Sequence, residues 1–216
     1  MKKLNLLTAL SIAVLALSAC KKDDPTPTPE PTPTDNSGNK VITQNISSNT
    51  SWTNDNVYQL GGRIVVTDGA TLTIEKGTVI KGEAGAGANA TALIVARGGK
   101  LIAEGTATEP IIFTSVADEI SPEDIQNGNF TSPNLDPTIN GLWGGVIVLG
   151  KARISASNDN GDVSEVQIEG IPTSDANGLY GGNNDNDNSG ILKYISIRHG
   201  GTNIGSGNEI NGLTLG

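Results

Sequence analysis

One cysteine, Cys20, and one histidine, His199, occur in 216 residues. A single cysteine cannot close an internal disulfide, and a single histidine cannot build a His-rich zinc site. These two shortages exclude thiol proteases, zinc hydrolases with several His ligands and CxxC redox proteins. Basic residues are scarce too: 14 Lys and Arg stand against 23 Asp and Glu, a formal net charge of −9. No cluster of them is dense enough to neutralise phosphates, so nucleic acid is not an expected partner. The acidic balance fits a soluble, acid-faced surface protein. Aromatics make up only 3% of the chain, which argues against an extended stripe of rings stacking on sugar. What is plentiful is Val, Ile, Leu and Thr with 28 Gly, a composition that favours strands and turns over helices.

The longest apolar run lies at the start. Lys2 and Lys3 precede a mostly apolar stretch from Leu4 to Leu17, too short and wrongly flanked for a spanning helix and suited to a secretory signal. It ends in Leu17-Ser18-Ala19-Cys20, which resembles the bacterial lipobox, Leu-[Ala/Ser]-[Gly/Ala]-Cys. The resemblance implies that residues 1–19 are a lipoprotein signal peptide. It also implies cleavage before Cys20, a diacylglyceryl group on the Cys20 thiol and an acylated new amine. Several acyl chains anchor stably where one would not. The partner implied for Cys20 is therefore outer-membrane lipid. Lys21-Lys22-Asp23-Asp24 resembles the lipoprotein export signal of Bacteroidota, which implies display on the outer face of the outer membrane; the competing reading is a merely polar spacer. Pro25, Pro27, Pro29, Pro31 and Pro33 follow, alternating with Thr and Glu. Proline fixes φ and lacks an amide proton, so neither helix nor central strand forms. Residues 20–40 thus read as the lipidated cysteine and a disordered, extended tether, spanning roughly 60 Å at about 3.1 Å per residue.

From about Val41 short β-branched runs alternate with Gly, Asn and Asp turns. Three stretches align: residues 63–82, 93–115 and 145–170. Each opens with an apolar triplet, turns near glycine and begins a second triplet. Val65 to Leu72, Ile94 to Leu101 and Ile147 to Ile154 are each 7 residues apart. A third run follows each time, at Val79-Ile80, Ile111-Ile112-Phe113 and Val166–Ile168. Three short strands per unit, stacked unit on unit, describe a parallel β-solenoid, whose inward aliphatics stack while insertions leave at corners. A β-sandwich also has many short strands, but it predicts hairpins and no fixed internal spacing. Residues 82–90, 116–140 and 173–190 then become corner loops, and Ser121-Pro122 opens a short helix over 121–126, with Ser121 as N-cap. A fourth unit is expected to begin at "GILKYISIRHGG", residues 190–201, and the last Leu-Thr-Leu reads as the start of a further strand. No polar cap follows it, so the domain, 41–216, is expected to be the N-terminal part of a longer protein.

The segments "GATLTIEKGTVIKG", "LIVARGGKLIAEGTATEPIIFTS", "GLWGGVIVLGKARI", "YGGNNDNDNSGILKYISIRHGG" and "NEINGLTLG" resemble β-helix lipoproteins of Bacteroidota, which are similar in fold to the right-handed, pectin-lyase-like superfamily. The resemblance implies an all-β, right-handed parallel β-helix with three short strands per rung and long corner loops. It carries fold and location more than chemistry. Fold alone does not give function.

Candidate chemistry is sparse. The only Asp-Asp is Asp23-Asp24, in the tether; Asn-Thr-Asp and Arg-Ile-Lys, which mark polygalacturonase-type hydrolases, are absent, and Arg198-His199-Gly200 is a partial echo of Gly-His-Gly. Arg198 and His199 are candidate ligand contacts, able to act with carboxylates of a neighbouring rung; the bland reading, which the sequence favours, is an end-of-strand pair satisfied by loop carbonyls. Trp143, in Gly-Leu-Trp-Gly-Gly, is a third candidate contact, against the alternative of a packing corner. Asp185, Asp187 and Ser189 alternate before Gly190 like the first half of a calcium loop. Position 12 would be Ser196 instead of a bidentate Glu, so the EF-hand match fails and a simpler Ca²⁺ corner competes with a solvated Asx-rich turn. "NDNGD", 158–162, is a weaker second candidate. No other cofactor is implied. The expectation is a lipid-anchored surface module that binds, adheres or supports structure, with polysaccharide or another surface protein as partner. The alternative is a carbohydrate-active enzyme, a polysaccharide lyase or hydrolase.

Overall fold

A computed structural model describes residues 38–205 and 208–216. The expected signal peptide, Cys20 and the Pro/Thr run lie outside the described residues. The β-branched triplets become strands, and the strands gather into three parallel sheets that share one interior. The first face stacks Arg63–Val66, Ala92–Val95, Gly145–Val148 and Leu213–Leu215. The second stacks Thr50–Trp52, Thr71–Ile74, Lys100–Glu104 and Gly190–Lys193. The third stacks Asn39–Ile42, Val57–Leu60, Val79–Gly82, Ile111–Ser115 and Ile195–Ile197. The chain passes from first to second to third face and then starts the next rung. This is a parallel β-helix with three strands per rung.

Register follows the period-2 alternation of strands. Ile64 and Val66 point inward and sit beneath Leu93 and Val95, which sit beneath Val146 and Val148. Leu72 lies against Leu101 and Ile74 against Ala103. Ile80 lies against Phe113, which lies against Ile197. These residues form one buried column, each side chain contributing about 1.5–3 kcal/mol by leaving water. The first face is buried on its outer side as well, where Val65, Ile94 and Ile147 meet Ile171 and Ile210. A sheet covered on both sides explains why "ALIV" is apolar without alternation. The second face presents the exposed Thr73, Lys100 and Glu104 outward and remains solvated.

The spacing of the first two units is kept: Val65 pairs with Ile94 and Leu72 with Leu101. The third unit departs from the expectation. Ile147 pairs with Ile94 as anticipated, but Leu101 is matched by Gly190, not by Ile154. Ile154 is in no strand, and Val166 pairs antiparallel with Tyr180 in a hairpin outside the rungs. The residues after Leu149 therefore leave the rung as a long insertion and return at Gly190. The physical reason is close approach. Gly190 has φ +126, and a Cβ there would lie 2.0 Å from the Leu101 carbonyl oxygen, so only glycine can start the strand that covers Leu101. Consequently "GILKYISIR" completes the third rung instead of opening a fourth. Tyr194, in the left-handed region at φ 47, alone turns the chain between the second and third faces. The next rung begins at Leu213–Leu215, over Val146–Val148.

The 116–140 corner carries the helix anticipated at Ser121. Pro122–Gln126 is α-helical, and the Ser121 side chain accepts from Asp124 N–H while the Asp124 carboxylate accepts from Ser121 N–H. This capping box turns Ile125 onto Val79 and Ile112, sealing the outer side of the third face.

Candidate functional site: the corner over the third face

Outward positions of the third face change character along each strand. Val79 and Ile112 are buried beneath the helix. Two residues further on come Lys81 and Thr114, and the top rung adds Ser196 and Arg198. Asp118, from the corner, sits over these polar positions and is fully buried. Its carboxylate accepts from Thr114 Oγ1 at 2.7 Å, Ser132 Oγ at 2.8 Å and Ile120 N–H at 3.1 Å. Burial alone would push this carboxyl up. The hydrogen bonds from Thr114, Ile120 and Ser132, with the charge of Arg198, outweigh it and hold the group below the ordinary carboxylate value. Lys81 Nζ donates to the Asp118 backbone oxygen at 2.5 Å, and burial pushes its ammonium down against the pull of Asp118, Asp124 and Glu119.

His199 approaches this carboxylate from the rung above, and Arg198 lies near enough to feel its charge. Arg198 Nε donates to Ser196 Oγ at 2.9 Å and Nη2 to the Phe130 carbonyl, while Nη1 is buried without a partner. Desolvation pushes the guanidinium down, and Asp118 counters it. His199 is held in the left-handed region, φ 55, a conformation that concentrates at constrained sites. Its Nδ1–H donates to the Ile139 carbonyl at 2.7 Å. Its Nε2 lies 3.9 Å from Asp118 Oδ2 and is also buried without a partner. The loop carbonyls of Phe130 and Ile139 thus hold the pair. A cleft of about 310 Å³ opens beside them, walled by Phe130, Leu135, Pro137 and Ile197. Apolar walls with a few convergent polar groups are the ordinary form of a small-ligand site.

Trp143 is elsewhere. It is fully buried in the interior column, and its Nε1–H donates to the Arg198 carbonyl at 2.8 Å. The indole lies against Gly82, where a Cβ would come within 2.5 Å of the ring. It is a packing corner and offers no face to a sugar.

Asp185, Asp187 and Ser189 are brought close to the chain leaving Leu149. Asp185 accepts from Arg153 Nε at 3.0 Å, and also from its Nη2 and backbone N–H; the Arg153 contact holds its carboxyl below the ordinary value. Asp187 Oδ2 accepts from Lys151 N–H at 2.9 Å, and Ser189 Oγ donates to the Leu149 carbonyl at 3.3 Å. These side chains clamp the two ends of the insertion, and Asp185 is already taken by an arginine, so the donor set does not fit a Ca²⁺ site. Residues 158–162 form a hairpin tip closed by Asn158 Oδ1 accepting from Asn160 N–H. Among the described residues no group of three or more His, Cys, Asp or Glu is placed to hold a metal.

Sequence reasoning missed Asp118 and Lys81. It expected a carboxylate from a neighbouring rung; the partner comes instead from a corner insertion, 80 positions before Arg198. No spacing rule connects an insertion to the rung above it. The usable signal is indirect: strand positions that alternate inward apolar with outward Lys81 and Thr114 imply a polar cover.

The family model described as pectate-lyase like beta helix domain matches residues 44–128 and 129–215. The two matches meet inside the 116–140 corner. No curated protein and no solved structure matches the chain.

Proposed function

The chain belongs to the pectate-lyase-like β-helix domain family, and on that premise we propose that it is a lipid-anchored module of the cell surface that binds or adheres. In this reading Cys20 carries the lipid, Lys21 to Asp24 address a Bacteroidota-type lipoprotein to the outer face of the outer membrane, and the Pro/Thr tether holds the β-helix off the lipid. The partner is a polysaccharide or another surface protein.

The observation that carries binding over catalysis is the state of Asp118. It is the carboxylate that His199 approaches and that lies near Arg198, and it is fully buried. Its oxygens already accept from Thr114, Ser132 and Ile120. A general acid or base must reach the proton it transfers. Here the ionisable groups hold a loop in place, and the open surface beside them is an apolar-walled cleft. The alternative, a polysaccharide lyase or hydrolase, draws support from Lys81. Burial lowers its ammonium pKa, the direction a base needs, yet its Nζ is bound to the Asp118 carbonyl.

Incubating the full-length protein with a panel of acidic and neutral polysaccharides, with and without Ca²⁺, separates the two. Binding without turnover is expected, and sustained product formation would overturn the proposal. Cys20→Ala should abolish labelling by radioactive fatty acid, and protease treatment of intact cells should release the domain. Persistent labelling would sink the anchor, and survival of the domain until lysis would sink outward display.

A further inference from the structure

A second groove crosses the outer side of the first face, where the sequence suggested nothing. Two clefts, of about 410 and 530 Å³, meet at Arg63. The first is bounded by the 167–173 segment, with Ile204 and Asn208. The second is walled by Asn45, Glu83, Asn89, Asp175 and Asn177 over a floor that includes Gly61 and Gly62.

Arg63 differs from the other arginines. Arg97 pairs with Glu165 at 2.5 Å and Arg153 pairs with Asp185, while Arg198 donates to the Phe130 carbonyl. Arg63 Nη1, like Arg198 Nη1, is buried without a partner, but Arg198 is tied down by its Nε and Nη2, whereas among the described residues no hydrogen bond or ion pair holds the Arg63 guanidinium. Leaving such a donor unpaired is costly, the more so for a charged group, in a chain with surplus carboxylates. Glu83 and Asp175 line the same cleft and Glu169 the adjoining one. Their recorded bonds go elsewhere: Glu83 Oε1 accepts from Gln59 Nε2 at 2.7 Å, and Asp175 Oδ1 from Asn177 N–H at 3.0 Å.

The lining chemistry selects a ligand class. One guanidinium, which only donates, faces three carboxylates, which only accept, with side-chain amides that do both. A polyanion would meet a net negative lining and be repelled. A chain of sugar hydroxyls, each able to donate and accept, matches both kinds of group. We propose that this groove binds a neutral glycan, with Arg63 donating to adjacent hydroxyl oxygens and Glu83 and Asp175 accepting from hydroxyls. The inference deepens the binding reading above and rests on it.

Gly62 supplies a clean perturbation. A Cβ there would meet nothing within 4 Å, so packing does not require the glycine, and a side chain added at this cleft-lining position grows into open space. The full-length protein in detergent is titrated calorimetrically with hexasaccharides of glucan, mannan, xylan and galactan, and with hexagalacturonate. At least one neutral hexasaccharide should bind, at least tenfold tighter than hexagalacturonate. Arg63→Ala and Gly62→Leu should each weaken it at least tenfold, and Lys100→Ala, on the solvated second face, should leave it unchanged. Equal or tighter binding of hexagalacturonate, binding of no neutral hexasaccharide, or neutral binding that survives both groove variants would each overturn the inference. Neutral binding lost only in Arg198→Ala would overturn the groove and leave the binding reading standing. Turnover of a bound neutral glycan would overturn that reading and leave the groove.

Discussion

Asp118→Ala tests the corner directly. The substitution removes the acceptor for Thr114, Ser132 and Ile120 N–H, and takes a neighbouring negative charge away from the half-buried Arg198. Each hydrogen bond to a charged acceptor is worth about 1.5–3 kcal/mol. Their simple sum overstates the loss, because the corner is a surface insertion that can lift and rehydrate its donors. The cost of opening the corner locally sets the upper limit. We expect a loss of about 3 kcal/mol in urea unfolding, with new protease cleavage between residues 116 and 140. The pH dependence has a definite sign. The folded-state carboxyl lies below its ordinary value, so its stabilisation is complete above the unfolded value of about 3.9. It is lost as pH falls through the lower folded value. The gap between wild type and Asp118→Ala should therefore be flat at neutral pH and close only below about pH 4. A loss under about 1 kcal/mol, unchanged protease resistance of the corner, or a gap that widens in acid would refute the reasoning.

Three further outcomes are expected. Gly190→Ala drives a Cβ to 2.0 Å from the Leu101 carbonyl at φ +126; it should cost more than about 2 kcal/mol and expose the 150–188 insertion to protease, and a near-native midpoint would contradict the third-rung register. Trp143→Ala empties a fully buried site and removes the bond to the Arg198 carbonyl; a loss of about 3–5 kcal/mol is expected in chemical denaturation, where a change below about 1 kcal/mol would restore an exposed role. Ser121→Ala removes one half of the capping box and should cost about 1 kcal/mol, read as faster amide exchange at residues 122–126; unchanged exchange there would show that packing of Ile125 alone holds the helix.

The rungs were legible because a parallel strand must lie in register on its neighbour. That repeats the same inward residues at a fixed interval, and the shift carrying Val65 to Ile94 also carries Leu72 to Leu101. The interval failed at Ile154 because an apolar residue at the right distance is not enough. The strand must also fit against the backbone beneath it, and Gly190, 36 positions later, does so. Of the candidate site, Arg198 and His199 could be read as a polar pair ending a strand. Their loop-carbonyl partners, Asp118, and the buried place of Trp143 could not.

By itself the sequence determined what is periodic or covalent in kind: the parallel three-strand rung, the corners at 82–90 and 116–140, the capped helix at Ser121, and the lipobox resemblance at Cys20. Tertiary structure alone decided which insertion covers which face. It brought Asp118 near Arg198 and left Arg63 unpaired between two clefts. The reason is that inward side chains answer to the rung below, a local and repeating constraint. Corner segments answer only to whatever outer surface they fold back on, and no interval in the chain encodes that meeting.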